Sequence, residues 1–153
     1  MPSDDEPLAY YEIPADETNN SNRQVIEEFR ANHGKVGGFF EDKPLVLVHS
    51  VGAKSGIPRI NPLYLFEDDG RRFVPGSFGG SPKHPAWVHN LRANPNVTVE
   101  VGTETYPAVA VELGREERDP LYQKLSEQAD IFAEAQANTT RIIPLFELVR
   151  TPS

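Results

Sequence analysis

Short β-prone runs separated by tight turns fill most of the chain between residues 45 and 149, and they restrict its fold more than any other feature. Leu45–Val48 is a continuous apolar run after a proline, which predicts a buried strand. Val97–Val101 alternates apolar and polar residues, and residues 68–70 are a turn signal between two further runs. Long helices do not alternate regularly with these runs, so a doubly wound parallel sheet is disfavoured. The pattern favours an α+β barrel of mainly antiparallel strands.

We predict about six strands and three helices from these patterns. The first helix begins near Ser21, because Ser21 and Gln24 have capping-box spacing. The second spans Pro85–Ala93, and the third spans roughly Glu116–Ala137. The third helix buries one face through Leu121, Leu125, Ala129 and Phe132. The strands are predicted at Leu45–Val48, Ile60–Phe66, Arg71–Pro75, Val97–Val101, Tyr106–Leu113 and Ile142–Val149.

The chain of 153 residues is about one domain long. Residues 1–20 are acidic and contain three prolines, so we expect a flexible arm there and a single domain over residues 21–153. The absence of cysteine excludes a disulfide or thiolate site, and the four histidines lack metal-ligand spacing. No apolar run approaches the ~20 residues that span a bilayer. The first residues are acidic and do not show the basic-then-apolar order of a secretion signal, so we expect none. We therefore expect a cytoplasmic protein without stable membrane insertion.

Charge is distributed unevenly along the chain. The net charge is −8, yet residues 43–92 hold seven bases and three acids, a local net charge of +4. An acidic protein is poorly suited to neutralise the phosphates of a nucleic acid. A basic segment within an acidic chain instead favours a small anionic ligand.

The segment Gly52–Tyr64 has the residue types of an anion-binding hairpin. Its glycines permit a tight turn whose backbone N–H groups can face an anion. Lys54 and Ser55 offer a charge and a hydroxyl, and Arg59 adds a fork that suits phosphate or carboxylate. From these residues alone, an ordinary solvated hairpin is an equal alternative.

A second segment, Pro75–Leu91, combines small residues with a helix start. Small residues at a strand end leave room for a flat ring against the backbone, and a helix near Pro85 points its positive end at the same region. Trp87 is the only tryptophan, and packing against the core is the simpler role for its ring.

Three motifs in order give the chain a specific resemblance. They are Ala53-Lys54-Ser55-Gly56-x-Pro58-Arg59-x-Asn61-Pro62-Leu63-Tyr64, then Ser77-x-Gly79-Gly80, then Pro85-x-Trp87-x-x-Asn90-Leu91-x-Ala93-Asn94-Pro95. From about Asn22 to Val149 the chain resembles the deazaflavin-dependent nitroreductases, a family that uses coenzyme F420 and includes quinone reductases. The resemblance implies a split β-barrel related to flavin-nucleotide oxidases, with the phosphate and oligoglutamate tail of the cofactor along a basic groove.

The family pattern also implies which residues contact the cofactor. Contacts to the phosphate and tail map onto Ala53, Lys54, Ser55 and Arg59. Contacts nearer the ring map onto Asn61, Pro62, Leu63, Tyr64, Pro75, Gly76, Ser77, Phe78, Ala86, Trp87, Val88, His89 and Asn90, and Ile60 is a further expected cofactor contact.

The resemblance implies hydride transfer from reduced deazaflavin to a quinone or another electron-poor acceptor, such as a nitro compound. No residue is expected to act as acid, base or nucleophile; Tyr64, Trp87 and Phe132 are expected to shape the acceptor pocket. Phe132 falls where the nitroreductive branch has a tyrosine, and phenylalanine cannot donate a hydrogen bond, so we expect poor reduction of bulky nitroimidazoles. An FMN-dependent relative and a non-catalytic deazaflavin carrier are alternatives, and a homodimer is left open.

Overall fold

The computed structural model describes residues 15–37, 43–77 and 81–152, with side chains from Asn22 onward. These residues form four helices and seven strands. The helices are α1 (Ala15–Ala31), α2 (Ala86–Ala93), α3 (Arg115–Gln128) and α4 (Asp130–Ala137). The strands are β1 (Leu45–Val51), β2 (Pro58–Tyr64), β3 (Phe66–Asp68), β4 (Arg71–Pro75), β5 (Asn96–Val101), β6 (Glu104–Glu112) and β7 (Leu145–Arg150).

One curled antiparallel sheet contains all seven of these strands, in the order β2-β1-β5-β6-β7-β4-β3. Its two edge strands, β2 and β3, are separated along the chain by Leu65 alone. The sheet must therefore curl until its opposite edges meet, which is the geometry of an incompletely closed barrel. The predicted α+β split barrel is confirmed, with one strand and one helix more than expected.

Three buried clusters hold the elements together. The largest joins β1, β4, β5, β6 and β7 to α2, and its members include Val46, Trp87 and Phe146. A second packs α3 and α4 against Phe66 and Phe73. A third packs α1 against the start of β1 through Phe29. Consequently α1, α2 and the α3–α4 pair are each fixed to the sheet by a separate apolar contact.

The first helix begins at Ala15, six residues before the predicted start. Ser21 and Gln24 therefore lie inside the helix rather than at its cap. The extra turns are polar, so the apolar periodicity that placed the helix does not extend to them. Residues 15–20 of the predicted arm belong to α1, whereas residues 1–14 lie outside the described residues.

The predicted strand Ile60–Phe66 is interrupted at Leu65. The Leu65 N–H donates to the Pro44 carbonyl at 2.9 Å, and the chain then leaves β1 to pair with β4. This single residue is the corner at which the sheet turns. Periodicity runs through it because both neighbours remain apolar and partly or fully buried.

The predicted third helix is two helices, which meet at Ala129 in an extended conformation (φ −145°, ψ 108°). The Tyr122 hydroxyl donates to the Phe132 carbonyl at 2.8 Å across the break. The predicted buried face is confirmed, because Leu121, Leu125 and Phe132 are buried. No helix within the described ranges is long and apolar enough to cross a membrane.

Candidate cofactor-binding site

The segment between β1 and β2 folds into a tight turn. Gly52 donates its N–H to the Ile57 carbonyl, and Gly56 donates to the Gly52 carbonyl, both at 2.9 Å. Gly56 adopts φ +68°, which favours glycine. The Ser55 hydroxyl oxygen accepts from the Ile57 N–H at 3.2 Å, which stiffens the turn. Lys54 is consequently displayed at the exposed tip of an ordered hairpin.

The basic segment 43–92 separates in the structure into paired and unpaired cations. Arg71 binds Glu147 at 2.7 Å, Arg92 binds Glu112 at 2.8 Å, and Arg72 lies 3.5 Å from Glu67. In contrast, Lys54, Arg59 and Lys83 are exposed, and none of them has a carboxylate partner within the part of the chain described. Two of these three available cations therefore lie on the hairpin, and the third lies on the loop before α2.

A hydrogen bond joins the hairpin to α2. The Ala53 N–H donates to Asn90 Oδ1 at 2.9 Å, over 37 residues of sequence. This bond brings the first and third sequence motifs into direct contact. Because α2 is fixed in the core by Trp87 and Val88, the bond also anchors the turn that carries Lys54.

The strand that follows the hairpin lies beside a cavity of about 420 Å³. As an edge strand, β2 is paired on one side only. Its residues Arg59, Ile60 and Asn61 line the cavity opposite α1, which contributes Arg23 and Arg30. Three of the predicted cofactor contacts thus border a single groove. Arg30 is occupied by Glu100 at 2.8 Å, so the remaining charges that line the groove are the cations Arg23 and Arg59 and the anion Glu27.

The end of β4 packs closely against α2. A side chain at Gly76 would come within 2.8 Å of Val88 and 3.0 Å of Pro144. Glycine is therefore required for protein packing here, instead of leaving open room for a ring as the sequence suggested. Ser77 is half-buried. Phe78 and the two glycines that follow it lie outside the described residues.

The three predicted pocket residues do not lie together. Trp87 is 8% exposed, and its ring packs 5.8 Å from that of Phe146 in the largest cluster. Tyr64 and Phe132 form an edge-to-face pair at 4.8 Å in the α3–α4 cluster. Phe132 is only 4% exposed, so Tyr64 is the more accessible member of that pair.

Tyr64 can offer its hydroxyl to a ligand. The hydroxyl has no partner among the described residues. Partial burial raises the pKa of Tyr64 above its ordinary value of 10.0, so the group remains a protonated donor at neutral pH. Other predicted contacts point to different neighbours, since Ile60 packs towards α1 and Leu63 towards the largest cluster.

Sequence reasoning missed Arg141, which makes four contacts to the loop between β4 and α2. Its guanidinium donates to the carbonyls of Ser77 and Ser81, both at 2.7 Å, and of Gly76 at 3.1 Å. It also lies 2.9 Å from His84 Nδ1. Arg141 stands 64 residues from Ser77, and no spacing rule links the two.

The His84 ring is held in one tautomer by this arrangement. Since an arginine N–H can only donate, His84 Nδ1 accepts and the ring proton lies on Nε2. Burial and the nearby Arg141 charge lower the pKa of His84 below 6.5. His89 stacks edge-on at 5.9 Å. The described residues contain no group of three His, Cys, Asp or Glu side chains suited to a metal.

The fold is that of split-barrel flavin-binding proteins. The heme storage protein HutZ of Vibrio cholerae is 19% identical and has a TM-score of 0.54, over 86% of this chain and 92% of that one. At this identity the likeness concerns the fold alone. A solved structure of an F420-H2-dependent reductase (FDR-A) is 42% identical with a TM-score of 0.62, over 69% of this chain and 93% of that one.

The chain belongs to the F420H(2)-dependent quinone reductase family, which it matches over residues 21–151. An F420H(2)-dependent quinone reductase of Mycobacterium tuberculosis strain H37Rv is 32% identical over 128 residues, 80% of this chain and 85% of the relative. Membership makes the protein an oxidoreductase with reduced coenzyme F420 as cofactor. The site fits that group, because Lys54 and Arg59 have no carboxylate partner among the described residues and are suited to its phosphate and carboxylates.

Proposed function

We propose that this protein transfers a hydride from reduced coenzyme F420 to a quinone. The observation that carries the proposal is the hairpin: Lys54 and Arg59, which have no carboxylate partner where the structure describes the chain, flank a turn that Asn90 ties to α2. An anionic cofactor supplies the missing counter-charges. The family match supports the same cofactor.

The hairpin would select and hold the anionic end of the cofactor. Lys54 offers a compact charge, and Arg59 offers parallel N–H donors that match a phosphate or carboxylate. Both are exposed, so their attraction is screened by salt. The groove beside β2, with Arg23 on its far wall, gives the carboxylates of the tail a path.

The residues near the ring would orient the reactants rather than exchange protons. When bound, reduced F420 supplies the hydride, and the protein contributes orientation and electrostatics. The Tyr64 hydroxyl is partly exposed and stays protonated at neutral pH. It can therefore donate a hydrogen bond to an oxygen of the ring or of the acceptor. We assign Phe132 the role of fixing the Tyr64 ring, given their edge-to-face contact. The burial of Trp87 favours a supporting role for it under α2.

Quinones are the proposed physiological class of acceptor, and nitro compounds are a second, poorer class. Reduction of a quinone to a hydroquinone requires two electrons and two protons. The hydride supplies both electrons and one proton, and the second proton can come from solvent. A buried phenylalanine at position 132 leaves no added donor for a nitro group. This is consistent with the quinone reductases among the relatives.

The decisive experiment compares two cofactors and one acceptor. The apo-protein is titrated with oxidised F420 and with FMN, and oxidation of reduced F420 is then followed after addition of menadione. We expect preferential binding of F420 and acceleration by menadione. Preferential binding of FMN would overturn the proposal. Tight F420 binding without acceleration by any quinone would instead identify a carrier.

We also propose that two copies of the chain associate. The support is a solved structure described as a domain-swapped dimer, 36% identical with a TM-score of 0.64, over 89% of this chain and 99% of that one. Light scattering across a concentration series tests this directly. A monomer mass at every concentration would contradict it.

A further inference from the structure

Arg141 contacts both ends of the loop that joins β4 to α2. On one side of the loop it binds the carbonyls of Gly76 and Ser77, and on the other side it binds the Ser81 carbonyl and His84. We propose that Arg141 is a positioning residue that fixes the two described flanks of this loop, 76–77 and 81–84, for binding of the deazaflavin ring. The inference rests on the proposed function, because the half-buried Ser77 is a ring contact only if F420 binds there.

The chemistry of the contacts favours such a role. All three guanidinium nitrogens take part, and the four contacts use four of its five N–H groups. Among the described residues Arg141 has no carboxylate partner. Its charge is therefore directed entirely at backbone carbonyls and one imidazole nitrogen. Lysine could not reproduce this, because its ammonium is a single point donor.

Arg141 is itself held in place by its neighbours. Its own carbonyl accepts from Gln136 Nε2 at 2.8 Å, and Gln136 Oε1 accepts from Arg118 at 2.6 Å. Two residues further on, Ile143 also donates to Gln136 Oε1, at 3.1 Å. The guanidinium is thus mounted on a segment fixed to α3 and α4, which gives the loop a rigid reference.

Arg141 also acts at the place where β4 meets the segment before β7. The Gly76 N–H donates to the Pro144 carbonyl at 2.9 Å, while the Gly76 carbonyl accepts from Arg141. Both polar groups of this one residue are therefore bound by the same segment. Loss of the Arg141 contacts would release Ser77 and the start of the loop while leaving the Gly76 N–H bond intact.

The test uses two ligands to distinguish contacts to the deazaflavin ring from contacts to the anionic tail. One ligand is oxidised F420, and the other is a deazaflavin with the same ring and ribityl chain but without phosphate or glutamates. Arg141→Lys should weaken both by a similar factor, about tenfold. Lys54→Ala should weaken F420 while leaving the tail-less ligand unchanged. A role confined to stability would lower the melting temperature without changing either affinity at low temperature.

The matched control is Arg92→Lys, an arginine on α2 that pairs with Glu112 and does not contact the loop. It should leave both affinities within about twofold. Unchanged affinities in Arg141→Lys would overturn the inference while leaving the proposed function intact. Failure of the wild type to bind either ligand would overturn both.

A second measurement requires no variant. Hydrogen exchange of the wild-type protein should slow on addition of F420 at the amides of Ser77, Ser81 and Lys83. Bound F420 without added protection there would show that the loop does not receive the ring. That result would overturn the inference even if Arg141→Lys failed to fold.

Discussion

The Ala53 N–H donates a hydrogen bond of 2.9 Å to Asn90 Oδ1, which fastens the tip of the β1–β2 hairpin to α2. Two segments far apart in sequence thereby come into direct contact. Asn90 contributes its side chain from a helix held by buried Trp87 and Val88. The hairpin contributes Lys54 and Arg59.

Asn90→Ala should weaken F420 binding by about threefold to tenfold, because the turn loses its anchor. It should also lower the free energy of unfolding by about 1 kcal/mol, the usual contribution of one hydrogen bond. Fluorescence titration and urea denaturation measure the two effects. Asn94→Ala is the control, since among the described residues the Asn94 side chain accepts only from nearby Asn96, and the substitution leaves its backbone bond to Asn90 in place. Asn90→Asp should retain the bond yet weaken binding, because it adds a negative charge beside an anion.

Lys54→Ala and Arg59→Ala should each weaken F420 binding, and the loss should shrink as salt is raised. We expect the weakening because both side chains lack a protein counter-ion among the described residues and are available to the anionic cofactor. Titrations at low and high ionic strength provide the measurement. Arg71→Gln is the control, because it removes one positive charge from the same basic segment. Arg71 is already paired with Glu147, so its loss should affect binding less. Equal losses from all three variants would show that general charge, and not the hairpin, governs affinity.

Tyr122→Phe should lower the free energy of unfolding by about 1–2 kcal/mol, because it leaves the buried Phe132 carbonyl without its donor. Burial raises the pKa of Tyr122 to about 12, so this bond persists across the neutral range. Tyr64→Phe should change stability by less than about 0.5 kcal/mol, since the Tyr64 hydroxyl has no described partner. The same Tyr64 variant should reduce menadione turnover. Equal stability losses in the two variants would contradict this assignment.

Phe132→Tyr should raise turnover of nitro compounds relative to menadione, by adding a donor to the wall behind Tyr64. Because Phe132 is 4% exposed, the new hydroxyl should cost about 1–3 kcal/mol of stability unless it reaches a partner. Ratios of the two rates, measured on the same preparation, remove the effect of any unfolded fraction. An unchanged ratio would mean that residue 132 does not limit acceptor choice.

His84 should make the protein less stable in mild acid. Burial, and then the charges of Arg141, Arg92 and His89, lower its pKa below 6.5, while Glu112 opposes them weakly. A folded-state pKa below the unfolded value means that the unfolded chain binds the proton more readily. The stabilisation is therefore complete above pH 6.5 and is lost as the pH falls through the folded pKa.

The variant His84→Asn isolates this effect, because its amide oxygen can still accept from Arg141 but does not titrate. Melting temperatures of the wild type and the variant, measured from pH 8 to about pH 5, should diverge only at the acidic end. Parallel curves would assign the acid sensitivity to other groups.

Much of the fold followed from local patterns. The spacing of apolar residues in a strand or helix is a local property of the sequence. The observed bounds of β1, α2 and β5 are therefore close to the predicted ones. The corner at Leu65 and the break at Ala129 were not found. At the corner the Leu65 N–H bonds to the Pro44 carbonyl, and across the break the Tyr122 hydroxyl bonds to the Phe132 carbonyl; neither bond leaves a period in the sequence.

The sequence by itself determined the cofactor family, because three motifs in a fixed order carry that information wherever they lie in space. Only the tertiary structure decided which cations remain available. A count over residues 43–92 includes Arg71 and Arg92, whose partners Glu147 and Glu112 lie outside that window. It also omits Arg141, which the fold brings to Ser77. Electrostatic and hydrogen-bond partners are set by distance in space, and the curled sheet brings together residues that the chain keeps far apart.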